Sequence, residues 1–306
     1  MVQKACRLAQ SDKLKVVYID IFSCRSDRDF YDAFASAILK QTSSKLDEWL
    51  EHAKLFLSRI SPKISLGTDP MTDFSISLEM NPKSNEIDEI LQLPEKIAQK
   101  KGCNIVVCID EFQQIADYPE KGVEALLRSY IQFLPNVNFI FAGSKQHVMQ
   151  EMFLSAKRPF YQSTQTLSID RIERDVYYDF AAKFFASQRR EFPRATFDAI
   201  YDRFDGHTWY IQSILNRLYG YSAPIDEKLV TYAVAEIVAE STYAYENLLN
   251  AYPSGSVRLL KAIASERCVK EILSGDFISQ HKLKAASSVN SAIKKLVGNE
   301  LVYRTE

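Results

Sequence analysis

Five apolar residues, Ile105-Val-Val-Cys-Ile109, lead without a polar break from Asn104 into the acid pair Asp110-Glu111, and Phe112-Gln113 follow. A strand built from that run has no face to give to water. It must be covered on both sides, as in a parallel sheet flanked by helices. The constraint spreads along the chain, because parallel neighbours are joined by long crossovers that are usually helical. Strands and helices should therefore alternate around the run. In such sheets the functional ends are the carboxyl ends of the strands, and here that end carries two adjacent carboxylates.

The flanking sequence obeys this rule. Residues 1–10 read as the back half of a helix, with Val2, Ala5, Cys6 and Ala9 at helical spacing and no cap before them. Lys15–Ile21 predicts a strand. Ser26 and Asp29 have the form of a capping box, with Asp in place of Glu, ahead of a helix carrying Phe30, Phe34, Ala37 and Ile38. A second amphipathic helix carries Leu46, Trp49, Leu50, Ala53 and Leu57. Over 62–80, Ile64 and Leu66, then Phe74, Ile76 and Leu78, alternate with polar residues around Gly67-Thr-Asp-Pro70. That pattern predicts a hairpin inserted before a helix over 86–101. After the apolar strand, Val123, Leu126, Leu127, Tyr130, Ile131 and Leu134 mark a helix. Asn136–Phe141 predicts a second buried strand running into Gly143-Ser144, and a short strand is expected around Thr166–Ile169.

From Glu173 the pattern turns helical. Val176, Tyr177, Phe180 and Phe184 form one expected face, and Phe197, Ile200 and Tyr201 another. Further helices are expected over 207–219 and 226–250. Tyr252-Pro-Ser-Gly255 is the linker candidate. The last fifty residues predict helices over Val257–Ala264, Phe277–Leu283 and Ser287–Val297, then a strand starting at Leu301-Val-Tyr-Arg304. Three helices and a strand are the parts of a winged-helix domain with one of its wing strands absent, so both ends of the chain read as cut.

Composition excludes several classes. With 306 residues, 46% hydrophobic and 25% charged, the chain is an ordinary globular protein of about two domains. A net charge of −1 leaves no global basic field for nucleic acid. The cysteines Cys6, Cys24, Cys103, Cys108 and Cys268 form no C-x-x-C pair and read as small core hydrophobes in a reducing compartment. The histidines His52, His147, His207 and His281 form no ligand-spaced pair, and no Ser/His/Asp or Cys/His set can be assembled. No apolar run approaches the ~20 residues of a membrane span, and the N-terminus has no signal core. The expectation is a cytoplasmic protein without membrane contact.

Two neighbouring carboxylates at a strand end can divide labour. The first can hold Mg²⁺, directly or through water, and the second can polarise a water for attack on a phosphate. Val106-Val-Cys-Ile-Asp-Glu-Phe-Gln113 resembles a Walker B motif, while the matching phosphate loop, G-x-x-x-x-G-K-[ST], occurs nowhere in the 306 residues. Three stretches in order resemble the prokaryotic AAA+/STAND-type P-loop ATPases, in particular the archaeal-type ATPase family. They are that D-E-F-Q strand, then Phe139-Ile-Phe-Ala-Gly-Ser144 at the sensor 1 position followed by Arg158-Pro-Phe-Tyr161, and then Phe204-Asp-Gly-His-Thr-Trp-Tyr-Ile211 where the family's helical lid meets the nucleotide. Thr208 stands where proline is commoner in that last segment.

The resemblance covers nearly the whole chain. It implies an α/β, parallel-sheet P-loop NTPase core over 1–170, incomplete for want of its first strand and carrying the hairpin near 62–80. A helical lid over 171–252 and a winged-helix domain over 253–306 complete the expected architecture. In the family the phosphate loop precedes the helix of which residues 1–10 would be the tail. Its backbone N–H groups and Lys compensate the β- and γ-phosphate charge, so this chain as written is expected to bind ATP poorly.

By the same resemblance Asp110 holds Mg²⁺ and Glu111 is the catalytic, water-orienting base. Ser144 is the sensor 1 candidate, with a helix N-cap as its ordinary alternative. Arg158 is the arginine-finger candidate, with a surface salt bridge as the alternative; Arg128 is a weaker one. Gly206, His207 and Thr208 are lid-contact candidates for the nucleotide, or an ordinary helix start. Lys282, Lys284, Lys294 and Lys295 surround the expected recognition helix and could meet DNA phosphates or simply be solvated. The implied function is an ATP-binding, ATP-hydrolysing switch using ATP and Mg²⁺ between sheet and lid. Its implied partners are a nucleotide, an unidentified protein client, DNA through the winged helix, and further copies of itself. The alternative is a non-catalytic interaction or DNA-binding protein that keeps the fold.

Overall fold

The computed structural model describes residues 2–43, 46–57, 62–66, 74–78 and 84–303. The chain divides into two compact units, Met1–Gln165 and Thr166–Glu306.

The first unit runs α1 (Val2–Leu8), β1 (Leu14–Asp20), α2 (Asp27–Thr42), α3 (Leu46–Phe56), β2 (Pro62–Leu66), β3 (Phe74–Leu78), α4 (Ser84–Lys101), β4 (Asn104–Asp110), a 3₁₀ turn (Phe112–Asp117), α5 (Val123–Ile131), β5 (Val137–Phe141) and α6 (Gln146–Leu154). The apolar run is the central strand, β4. It pairs in parallel with β1 on one side and β5 on the other, giving the order β1-β4-β5. Ile105, Val107, Cys108 and Ile109 are buried, as a strand covered on both faces requires. The β1 register sets Tyr18 opposite Cys108 and Asp20 opposite Asp110.

The crossover helices bury their apolar faces on this sheet. α2 contributes Phe30, Phe34 and Ile38, and α3 contributes Trp49 and Ala53. The Ser26 capping box is complete: Asp29 N–H donates to Ser26 Oγ at 3.2 Å, and Ser26 N–H donates back to Asp29 Oδ2 at 3.1 Å. β2 and β3 form an antiparallel pair as expected; the connecting Gly67–Pro70 lies outside the described residues.

The outer edge of β1 is closed by two glutamine amides acting as substitute strand residues. Gln10 accepts from Val16 N–H at 3.1 Å and donates to Val16 C=O at 2.5 Å. Gln41 accepts from Tyr18 N–H at 2.9 Å and donates to Tyr18 C=O at 2.7 Å. An exposed edge strand is a template for unwanted pairing, and these amides occupy the groups that would pair.

The second unit holds α7 (Arg174–Ser187), α8 (Arg194–Arg203), α9 (Thr208–Gly220), α10 (Glu227–Asn250), α11 (Ser254–Glu266), α12 (Gly275–Gln280) and α13 (Ala286–Gly298). α7 to α10 share a core of Tyr177, Ala181, Phe185, Phe197, Ile211, Ile214, Leu218 and Ala233. α11 to α13 share another, of Leu259, Ala262, Phe277, Val289 and Leu296.

Four sequence expectations differ from the structure. Asn136–Phe141, expected as a second buried strand, forms β5 with Val137 buried but Asn138 and Ile140 exposed, because it lies at the edge of the β1-β4-β5 order. Thr166–Ile169 is not a strand, and Leu167 is 85% exposed; alternation alone does not make a strand without a neighbour to pair with. On α7 the buried stripe is Tyr177-Ala181-Phe185, while Val176, Phe180 and Phe184 are exposed. The helix has two apolar faces, and the pattern alone did not say which one packs. Leu301–Tyr303 is irregular rather than a strand, and Leu301 and Val302 pack onto the helices of the last core; Arg304 lies outside the described residues.

Replacing Gln41 by Ala should remove both hydrogen bonds to Tyr18 and reopen the β1 edge. The expected cost is about 1 kcal/mol, since water can reach the freed groups, together with increased self-association. Urea midpoints and light scattering would check this; an unchanged midpoint and no association would contradict the capping role.

Candidate functional site

The carboxyl ends of β4 and β5 converge on one polar cluster. Asp110 closes β4, and both its oxygens are engaged: Oδ2 accepts from the Tyr18 hydroxyl at 2.5 Å, and Oδ1 accepts from Glu111 N–H at 3.0 Å. Burial, reinforced by the neighbouring Asp110 carboxylate, pushes the Tyr18 hydroxyl well above its ordinary value. Tyr18 therefore stays protonated and acts as a donor that fixes the carboxylate's orientation.

Glu111 has φ 57° and ψ 36°, the left-handed region, which costs a non-glycine residue roughly 1–2 kcal/mol. The conformation turns the chain sharply out of β4 into the 3₁₀ turn. Its compensation lies one residue on. Phe112 N–H donates to Ala142 C=O at 2.9 Å, and Ala142 N–H donates to Ile109 C=O at 2.9 Å. The buried Phe112 ring lies 4.3 Å from Phe141, 5.8 Å from Phe153 and 5.8 Å from Phe160 between centroids. Phe160 comes from the Arg158-Pro-Phe-Tyr161 segment, so two of the singled-out stretches meet in one aromatic cluster.

Above that cluster, the Glu111 carboxylate is held from two sides. Gln113 Nε2 donates to Glu111 Oε2 at 2.5 Å, and Ser144 Oγ donates to the same oxygen at 3.0 Å. Gln113 Nε2 also reaches Ser144 Oγ at 3.5 Å. Ser144 is not a helix cap: α6 starts at Gln146 with Lys145 at the cap position. Gln113 is 1% exposed, and its Oε1 has no hydrogen-bond partner. A Cβ added to Gly143 would overlap that Oε1 and lie 2.6 Å from Met149 Sδ. The absence of a side chain at 143 leaves room for the Gln113 amide that donates to Glu111.

Arg158 lies apart from the Glu111 carboxylate's hydrogen bonds and is committed to its own unit. Its Nη1 is 3.3 Å from Glu124 Oε2 and its Nη2 3.1 Å from Glu151 Oε1. Glu124 is buried, and burial raises its carboxyl above the usual value despite the arginine. Arg128 donates to Gln132.

Gly206, His207 and Thr208 belong to the second unit. Gly206 is buried with φ 69°, and a Cβ there would crowd Arg171 and Tyr201 at 2.8 Å, so glycine is required both for backbone and for space. His207 precedes α9, makes no side-chain cap, and its ring lies tilted against Tyr210, 4.7 Å between centroids. Thr208 opens α9, and its carbonyl accepts from the Tyr177 hydroxyl at 3.4 Å. Lys282, Lys284, Lys294 and Lys295 are exposed.

Sequence reasoning missed Tyr18 as the residue that orients Asp110 and Gln113 as the residue that holds Glu111. Gln113 had a readable signal: it is a buried-type position two residues after Glu111 inside the singled-out motif. Tyr18 had little, because its role depends on the β1-β4 register.

Among the described residues no group of three or more His, Cys, Asp or Glu side chains could hold a metal ion. A single carboxylate fits Mg²⁺, which is commonly bound by one or two carboxylates plus water and substrate phosphate.

The family described as a probable winged helix domain matches residues 243–306. No curated protein matches the chain. Solved structures do. The Walker-type ATPase of Pyrococcus abyssi is 15% identical with a TM-score of 0.55, over 92% of this chain and 77% of that one. The ORC2 protein of Aeropyrum pernix, in its ADPNP–ADP complexes, is 16% identical with a TM-score of 0.59, over 99% and 76%. At these identities the likeness is one of fold: an α/β P-loop ATPase fold with a C-terminal winged-helix domain.

Two outcomes follow from this geometry. Gly143→Ala should displace Gln113 and cost about 1–3 kcal/mol, read as a lower urea midpoint; a neutral substitution would contradict the packing. Glu124 has a folded value above its ordinary 4.5, so its contribution to stability is full below that pH and fades as pH rises through the folded value. Glu124→Gln should flatten that part of the stability curve, measured as urea midpoints between about pH 4 and 7; an unchanged slope would contradict the burial effect.

Proposed function

We propose that this chain carries the acidic, hydrolytic half of an ATP site in an AAA+-type nucleotide-controlled switch. The single observation that supports it best is the Ser144–Glu111 hydrogen bond. It joins the ends of two adjacent parallel strands around a carboxylate already placed next to Asp110.

Each residue has a role in this reading. Asp110, held by Tyr18, presents a carboxylate of fixed direction for the cation. Asp110 would hold Mg²⁺ there, and the cation would supply positive charge against the phosphates. Gln113 and Ser144 both donate to Glu111 Oε2, and in this reading the other carboxylate oxygen orients a water and accepts its proton. Ser144 reports the state of the site through the oxygen it shares with Gln113. Arg158, paired with Glu124 and Glu151, would have to leave both carboxylates to act on a phosphate. Gly206, His207 and Thr208 are the proposed lid contacts. We take the domains as core 1–170, lid 171–252 and winged helix 253–306, and the protein as cytoplasmic; no described helix is long and apolar enough to cross a membrane. The exposed lysines around α13 make DNA phosphate the proposed contact of the winged helix, and a protein client is the expected target of the switch.

One observation favours a second reading. The G-x-x-x-x-G-K-[ST] loop that would hold the β- and γ-phosphates is not among the 306 residues. A non-catalytic interaction or DNA-binding protein on the same fold would need none.

Isothermal titration with Mg-ATP separates the two. Residues 1–306 should bind weakly, and a version carrying a phosphate loop ahead of Met1 should bind at least tenfold tighter. In that version Glu111→Gln should keep binding and lose most hydrolysis. Equal hydrolysis with and without the substitution removes the role of Glu111; no binding by either protein favours the non-catalytic reading.

A further inference from the structure

The two edges of the β1-β4-β5 sheet are treated differently. At β1 the backbone groups of Val16 and Tyr18 are bonded to the Gln10 and Gln41 amides. β5 has no such cover. Asn136 C=O accepts from Ile105 N–H, and Ala142 N–H donates to Ile109 C=O, so the even-numbered residues of β5 turn their backbone groups to β4. Those of Phe139 and Phe141 therefore point out of the sheet, where no described residue bonds to them. From Asn136 to Gly143 there is no charged residue and no proline, the usual devices that keep a free edge from pairing. The side chains of Phe139 and Phe141 pack on the core, while Asn138 and Ile140 lie exposed on the opposite face. β2 and β3 pair with each other, so no other described strand is left for this edge.

We propose that β5 is the pairing edge of a two-fold dimer, its occupant being β5 of a second copy running antiparallel. The edge is its own complement. With the axis at Phe139, Phe139 N–H of each copy donates to Phe139 C=O of the other, and Phe141 N–H of each donates to Val137 C=O of the other. Asn138 then lies opposite Ile140 on the exposed face. Phe139 lies opposite Phe139 on the core face, a cross-strand aromatic pair. Two three-stranded sheets join in the order β1-β4-β5-β5-β4-β1. Both outer edges of the joined sheet are the glutamine-capped β1, so pairing closes at two copies. An apolar peptide in the same place would present its own far edge to solvent; a second copy leaves none. The proposal stands on the strand edge, independently of the nucleotide reading.

Sedimentation equilibrium of the full chain under reducing conditions tests this, with two double variants at the exposed positions. The parent protein should show twice the 35.0 kDa of one chain. Asn138→Lys with Ile140→Lys sets lysine opposite lysine across the pair, and Asn138→Glu with Ile140→Glu sets glutamate opposite glutamate, so each protein alone should sediment as a single chain. Mixed in equal amounts they should recombine, and native mass spectrometry should find one chain of each in the dimer. Should either variant not fold, amide exchange in the parent decides: Phe139 and Phe141 should be protected in the dimer and lose that protection on dilution. A parent protein that stays a single chain at its highest soluble concentration would overturn the proposal. So would open-ended assembly, dimers that survive in either variant, a mixture that does not recombine, or Phe139 exchange that ignores concentration.

Discussion

The left-handed turn at Glu111 is the constraint on which the site depends. A strand as apolar as β4 has to end abruptly if its terminal acids are to face solvent rather than the core. The positive φ makes that end in a single residue. Such a conformation persists only where its surroundings over-determine it, and here they do. Phe112 is locked by backbone hydrogen bonds to and around Ala142, and its ring is packed among Phe141, Phe153 and Phe160. The aromatic cluster is thus more than core filling. It fixes where the Glu111 carboxylate begins, and Gln113 and Ser144 fix where it points.

The same logic extends across the sheet. Asp110 is oriented from the neighbouring strand by Tyr18, and Tyr18 is itself held in place along the β1 edge by Gln41. A chain of hydrogen bonds therefore runs from α2, through β1, to the end of β4. Site precision of this kind comes from side chains whose own positions are fixed by packing and by further hydrogen bonds. Gly143 contributes by omission, since any side chain there would overlap the Gln113 amide that donates to Glu111.

Much of the fold was legible because single residue types carried strong local signals. The unbroken Ile105–Ile109 run could only be a covered strand; Asn136–Phe141 was legible as a strand but not as an open one, since only Val137 of β5 is buried. The Ser26–Asp29 box stopped and started the chain where its hydrogen bonds now do. What resisted reading was whatever depends on pairing. Thr166–Ile169 alternates as a strand should, yet has no partner. α7 offers two apolar stripes, and only packing chose Tyr177-Ala181-Phe185. Tyr18 was one residue of the expected Lys15–Ile21 strand, and its hydrogen bond to Asp110 depends on the β1-β4 register that sets it across from Cys108. Ser144 could have been a helix cap by sequence, and only the start of α6 at Gln146, with Lys145 at its cap position, removes that reading.

The central claim is that Asp110 and Glu111, held by Tyr18, Gln113 and Ser144, form a cation and phosphate site at the end of β4. Paramagnetic broadening of amide resonances by Mn²⁺ tests it most directly, because the method detects weak binding and reports position. With Mn²⁺ and ATP added to the labelled protein, the account predicts broadening centred on the amides of Asp110, Glu111 and Ser144, lost in Asp110→Asn. Broadening centred elsewhere in the chain, or unchanged by that substitution, would contradict it.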